Sequence, residues 1–205
     1  MAKSIKSKFY KNFQFPSIRI NEIEQTLWRY AFNDSILSTF FDIDAYLSHY
    51  WIQEFSKNPD AFFGSSVYFS WEVGQPIKMG PVWDFDIAFG VHFNEEKRIP
   101  SGWFIRQHYW NRYLFNDSTF KQHATDYWIN NHRVFYNILD SLESYKKSLQ
   151  FAAQNNFKKW NILKDTQLTY HRKSFSTYDE TIDDLKNWIS QRYNWINDNI
   201  GINKK

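Results

Sequence analysis

The chain has 205 residues, of which 42% are hydrophobic and 21% aromatic, a length for one ordinary domain and a composition able to bury a sizeable core. Lysine and arginine exceed aspartate and glutamate by only three, 25 against 22, too few to leave the electrostatic footprint of a nucleic-acid-binding protein. The chain holds no cysteine, six glycines and five prolines, which excludes a disulfide framework and a cysteine zinc site and argues against a turn-dense sandwich or barrel.

Along the chain, Lys3, Lys6, Lys8 and Lys11 form the one local basic cluster and read as a solvated terminus. No signal-peptide core is present and no apolar run reaches the length of a membrane helix, so the chain as written reads as cytoplasmic with no membrane span. Its compartment stays open, and cell-surface or coat association is an alternative. Ser17 to Tyr30 has helical spacing at Ile18, Ile23, Leu27 and Tyr30. Asp42 and Asp44 are N-cap candidates for a helix of about a dozen residues with an apolar stripe of Tyr46, Leu47, Tyr50, Trp51 and Phe55, closed by Asn58-Pro59. Strand formers over Val67–Trp71 and again over Ile77–Phe85, separated by Gly74-Gln75-Pro76, predict a β-hairpin. From Ser101 the pattern is helical, near Trp103–Leu114, Ser118–His132, Val134–Asn155 and Tyr178–Ile200. The expected architecture is α+β and mainly helical: helix, hairpin, then a helical bundle in a single domain.

Two segments carry chemistry. In a strand, the alternation Trp83-Asp84-Phe85-Asp86 sends both rings to one face and both carboxylates to the other. The acidic face is either a solvated polar surface or a site for a hard cation such as Mg²⁺, and the rings are expected in the core. Asn58-Pro59-Asp60 and the Gly64-Ser65-Ser66 loop stand immediately before the hairpin whose far end carries Asp84, so loop and strand end should be neighbours. A kinase catalytic loop has an Asp that receives the acceptor proton, a metal ligand five residues on, then a hairpin and a second metal-binding Asp. Asp60, Ser65 and Asp84 follow that order. The histidines, His49, His92, His108, His123, His132 and His171, lack zinc-site spacing and read as structural or surface residues. Most of the tryptophans fall at core-facing spacing.

Lys57-Asn58-Pro59-Asp60-Ala61-Phe62, the hairpin, and Gly80-Pro81-Val82-Trp83-Asp84-Phe85-Asp86-Ile87-Ala88-Phe89-Gly90 together resemble the signature of the CotH (spore coat protein H) kinases. Weaker likenesses at Gly102-Trp103, Trp110–Leu114, Asp117, Phe120, Asn156, Trp160 and Arg192–Ile196 extend the resemblance over nearly the whole chain. The resemblance implies a protein-kinase-like C-terminal lobe with the metal-binding Asp on its hairpin. It implies ATP and Mg²⁺ or Mn²⁺ as cofactors, and a protein substrate with Ser or Thr acceptors. Asp60 would be the catalytic carboxylate, Asp84 the metal ligand, and Asp86 a supporting ligand; Ser65 or Ser66 stands where many kinases place an asparagine ligand. Family members carry a substantial N-terminal portion that completes the nucleotide cleft. Its expected absence makes the chain a fragment or a truncated relative, incomplete or inactive as a kinase. The alternative is a non-catalytic surface or coat-assembly module on the same fold.

Overall fold

A computed structural model of the chain describes residues 14–61, 66–166 and 173–201. It is mainly helical with one small antiparallel sheet. Eight α-helices occur among the described residues: α1 (Gln14–Trp28), α2 (Asp34–Phe40), α3 (Ile43–Ser56), α4 (Glu95–Arg98), α5 (Tyr109–Leu114), α6 (Ser118–Tyr136), α7 (Ile138–Lys159) and α8 (Tyr178–Asn199). The strands are β1 (Phe69–Ser70) and β2 (Lys78–Met79), between α3 and α4. His171, the basic cluster at Lys3–Lys11 and Ser65 lie outside the described residues.

Helix α3 is the organising element because it is buried on nearly every side. Asp42 starts it, its carboxylate accepting the Ala45 N–H at 3.1 Å and so satisfying a donor that the helix itself leaves free. Tyr46, Leu47, Tyr50, Trp51 and Phe55 are all 2% exposed or less. Around them an aromatic cluster closes. Trp51 lies 4.8 Å from Trp128 of α6, Trp128 lies 5.1 Å from Phe135, and Phe55 lies 5.0 Å from Phe135. The polar edges of these rings are satisfied: the Trp51 indole donates to the Ala124 carbonyl and the Tyr46 hydroxyl to Asn111 Oδ1, both at 2.9 Å. Helix α6 packs against α3 and α8, and α7 packs against α8.

The helical punctuation differs in two places from the sequence expectation. α6 runs without a break through Val134 to Tyr136, and the interruption falls at Asn137. The Trp103–Leu114 stretch divides into a 3₁₀ turn at Ile105–Gln107 and the short α5, with Tyr109 at φ 44° at the start of α5. The reason for the division is Glu54, whose buried carboxylate accepts the backbone N–H groups of Phe104 and Arg106 at 2.9 and 2.8 Å. Those donors are thereby fixed at the start of the turn by a side chain of α3.

The second strand is much shorter than the Ile77–Phe85 run suggested. Pairing is limited to Phe69 with Met79 and Ser70 with Lys78, while Ile77 bridges to Phe41 instead. Gly80 closes the ladder: its N–H donates to the Tyr68 carbonyl at 2.7 Å, and a Cβ there would stand 2.7 Å from the same oxygen. Pro81 follows and offers no donor, so the chain leaves the sheet.

Candidate metal centre

Lys57, the C-cap of α3, sits in the left-handed region at φ 47° and ψ 47°, a conformation usually left to glycine. Its side chain turns inward. The ammonium donates to the carbonyls of Glu96, Ile99 and Ser101 at 2.6, 3.1 and 2.8 Å. Burial and the nearby Arg192 guanidinium pull its pKa down to about 8, but only the charged form has three hydrogens for the three carbonyls. The segment after α4 is thereby tied to the base of the Asn58-Pro59-Asp60 loop.

Asn58 is fully buried and works in two directions. Its Oδ1 accepts the Asp60 N–H at 3.1 Å, setting the 3₁₀ turn at Pro59–Ala61. Its amide donates to Gln53 Oε1 at 3.0 Å and to the carbonyls of Asp84 and Trp83 at 3.1 and 3.5 Å. The carbonyls that a strand would pair with a neighbour are thus held by a side chain. Asp84 takes φ 65°, a left-handed conformation that aspartate tolerates better than most residues. Such strain is found where surrounding contacts hold a functional residue in place.

This geometry brings three carboxylates together. One oxygen each from Asp60, Asp84 and Asp86 lies within 4.8 Å of the others. Asp60 and Asp84 are half-buried and Asp86 is exposed. The Ser66 hydroxyl donates to Asp84 Oδ2 at 2.7 Å, so it orients that carboxylate. The donor set fits a hard divalent cation, which prefers carboxylate and hydroxyl oxygens to nitrogen or sulfur. Partial burial raises the Asp60 pKa, the charges of Asp84 and Asp86 add to the rise, and the Lys97 ammonium opposes it.

The sign of that shift gives a prediction for the metal-free protein. Folded Asp60 holds a proton more readily than unfolded Asp60, so stability falls as pH rises from the ordinary carboxylate range through the raised value. Asp60→Asn should therefore be more stable than the parent at neutral pH, with the difference vanishing in acid. Urea unfolding in chelator at both pH values measures it, and a variant less stable than the parent at neutral pH would contradict the repulsion.

Trp83 and Phe85 do not form the buried face that alternation implies. Trp83 is 46% exposed; its ring lies 5.6 Å from Tyr68 and its indole N–H donates to the Ser66 carbonyl at 2.8 Å. Phe85 is half-buried and pairs with Phe89 at 6.0 Å. The correction follows from the left-handed Asp84, which breaks the two-residue period. Trp83→Ala should cost about 1 kcal/mol, well short of the roughly 3–5 kcal/mol of a buried indole. A loss in thermal unfolding that reaches the larger figure would contradict the exposed placement.

The far end of the segment is equally constrained. Phe89, at φ 54°, donates its N–H to the Ser56 carbonyl at 2.8 Å. Gly90 has φ 85°, and a Cβ there would meet the Trp188 ring at 2.5 Å. Only glycine fits there. A family model described as CotH kinase protein matches residues 10–196, nearly the whole chain. The chain belongs to the CotH kinase family. No curated protein and no solved structure gives a significant match. No helix among the described residues is long and apolar enough to cross a membrane.

Within this CotH chain, sequence reasoning gave Asn58 only the end of α3 and assigned no role to the side chains of Lys57, Glu54 or Arg192. Arg192 is fully buried and pairs with Glu54 at 2.7 Å. It also donates to the carbonyls of Glu54, Phe55, Pro100 and Gly102. A signal was available for Lys57 and Asn58, which stand directly before Pro59-Asp60. For Arg192 the distance of 138 residues to Glu54 hides the pairing.

Proposed function

We propose that the chain is the carboxylate-bearing lobe of a CotH-type protein kinase, transferring the γ-phosphoryl group of ATP to Ser or Thr hydroxyls of a protein substrate. The convergence of Asp60, Asp84 and Asp86 carries this reading. Asp84, held in its left-handed conformation and oriented by Ser66, would hold Mg²⁺ or Mn²⁺ with support from Asp86. When bound, the metal would neutralise charge on the nucleotide phosphates. Asp60 would orient the acceptor hydroxyl and take its proton as the acceptor oxygen bonds to the γ-phosphorus and the bond to the β-phosphate oxygen breaks. Its raised pKa supports that task. Ser66 would act on the phosphate side through Asp84, and Ser65 would be the neutral oxygen donor that the family resemblance implies.

Thermal unfolding with and without millimolar Mg²⁺ or Mn²⁺, and with and without ATP, tests the proposal. A ligand that binds the native state alone raises the melting temperature. Asp84→Asn should abolish the rise without disturbing the backbone, because asparagine also tolerates the left-handed region. If the parent shows no rise with either metal, the kinase reading falls and the non-catalytic coat-assembly or surface module remains.

A further inference from the structure

A second polar site stands apart from the three aspartates and shares no residue with them. Between the end of α1 and the α5 segment lies an open cavity of about 580 Å³, lined by Tyr30, Arg106, Gln107, Arg112, Tyr113 and Asn116 over the buried ring of Phe115. Its lining holds two guanidinium groups and no carboxylate. Neither arginine pairs with an acidic side chain among the described residues.

Arg106 is built into place. Its guanidinium carbon lies 3.6 Å from the centre of the Trp103 ring and 4.3 Å from that of Phe115, its Nε donates to the Tyr50 hydroxyl at 3.4 Å, and its backbone N–H is held by Glu54. The two terminal nitrogens have no partner among the described residues, and neither is sealed from solvent. A stacked guanidinium with its fork free loses little freedom when it binds an anion.

The phenols complete the pattern. The Tyr30 oxygen already accepts from the Asn116 amide at 3.1 Å, and the Tyr113 oxygen accepts from Arg112. Each hydroxyl therefore keeps its own hydrogen to donate. Tyr30 and Tyr113 stand together, their rings 5.9 Å apart. A cavity offering two guanidinium groups and two hydroxyl donors, with no negative charge of its own, suits a compact polyvalent anion. A phosphate monoester supplies close to two charges and three strong acceptors in that volume.

We propose that this cavity is an anion-binding site for a phosphate monoester, with Arg106 as its fixed anchor and Arg112, Tyr30 and Tyr113 closing around it. The proposal does not depend on the metal centre. Calorimetric titration of the whole chain in chelator tests it, using inorganic phosphate, a phosphoserine peptide and the same peptide without phosphate. The phosphorylated peptide should bind and its unmodified form should not. Tighter binding of the phosphopeptide than of inorganic phosphate assigns the ligand to a modified polypeptide, and equal binding assigns it to the free anion. Arg106→Gln should weaken binding about tenfold or more, the loss of a charge-assisted pair. Arg112→Gln and Tyr30→Phe, both on the exposed rim, should weaken it by smaller factors even if Arg106→Gln fails to fold. Asp84→Asn should bind phosphate as the parent does. Absence of binding by every phosphate-bearing probe at millimolar concentration overturns the proposal, as does binding indifferent to Arg112→Gln and Tyr30→Phe.

Discussion

Arg192→Met is expected to destabilise the protein by about 3–5 kcal/mol, the loss typical of removing one partner from a buried ion pair. Both Arg192 and Glu54 are wholly buried, and burial pulls the guanidinium pKa down while the Glu54 charge pushes it back up. Without the arginine, Glu54 keeps the Phe104 and Arg106 N–H groups but loses its countercharge, and the Pro100 and Gly102 carbonyls lose their donor. The double variant Glu54→Gln, Arg192→Met should recover part of the loss, because the Glu54 carboxylate is then no longer left inside without its countercharge. Denaturant unfolding measures both. A single-variant cost below about 1 kcal/mol would place the pair in solvent, as for an exposed bridge.

The second large effect concerns chemistry. Asp60→Asn should lower phosphoryl transfer to a Ser-containing protein substrate by about 10²–10⁴-fold, the range for losing a positioned general base. Metal-dependent nucleotide binding should persist in this variant, because Asp84 and Asp86 remain. Asp84→Asn should lose both. The contrast separates an acceptor-orienting carboxylate from a metal ligand. It is read by pairing single-turnover transfer with calorimetric nucleotide binding, in whichever length of chain supports transfer. Equal loss of nucleotide binding in both variants would contradict the division of roles.

Where local pattern and tertiary environment agree, the sequence was legible. The α3 stripe of Tyr46, Leu47, Tyr50, Trp51 and Phe55 was readable because helical periodicity and burial select the same residues. Asp42 was readable as a cap because only its side chain has to be placed. The Trp83–Asp86 stretch was misread in its backbone because strand-forming residues were counted without the competitor for their carbonyls. That competitor is Asn58, 25 residues earlier. The family likeness survived the misreading, because it is carried by the residues of the Lys57–Phe62 and Gly80–Gly90 motifs and not by how far the strand between them extends. What stayed hidden was the supporting frame of Lys57, Glu54 and Arg192. Charged residues carry a strong prior for the surface, and only their distant partners overturn it.

The indole packing around α3 gives the protein an optical signature of its own state. Trp51 stands 6.2 Å from Trp103 and 4.8 Å from Trp128, and Trp103 stands 4.9 Å from Trp195. Four chromophores at such separations, each fixed at a tilted or edge-on angle, couple their transitions and should give an intense near-ultraviolet circular dichroism band. Loosening the core while the helices persist should erase that band and leave the far-ultraviolet spectrum nearly intact. The same spectrum therefore distinguishes a variant that has lost its side-chain packing from one that has lost only a ligand.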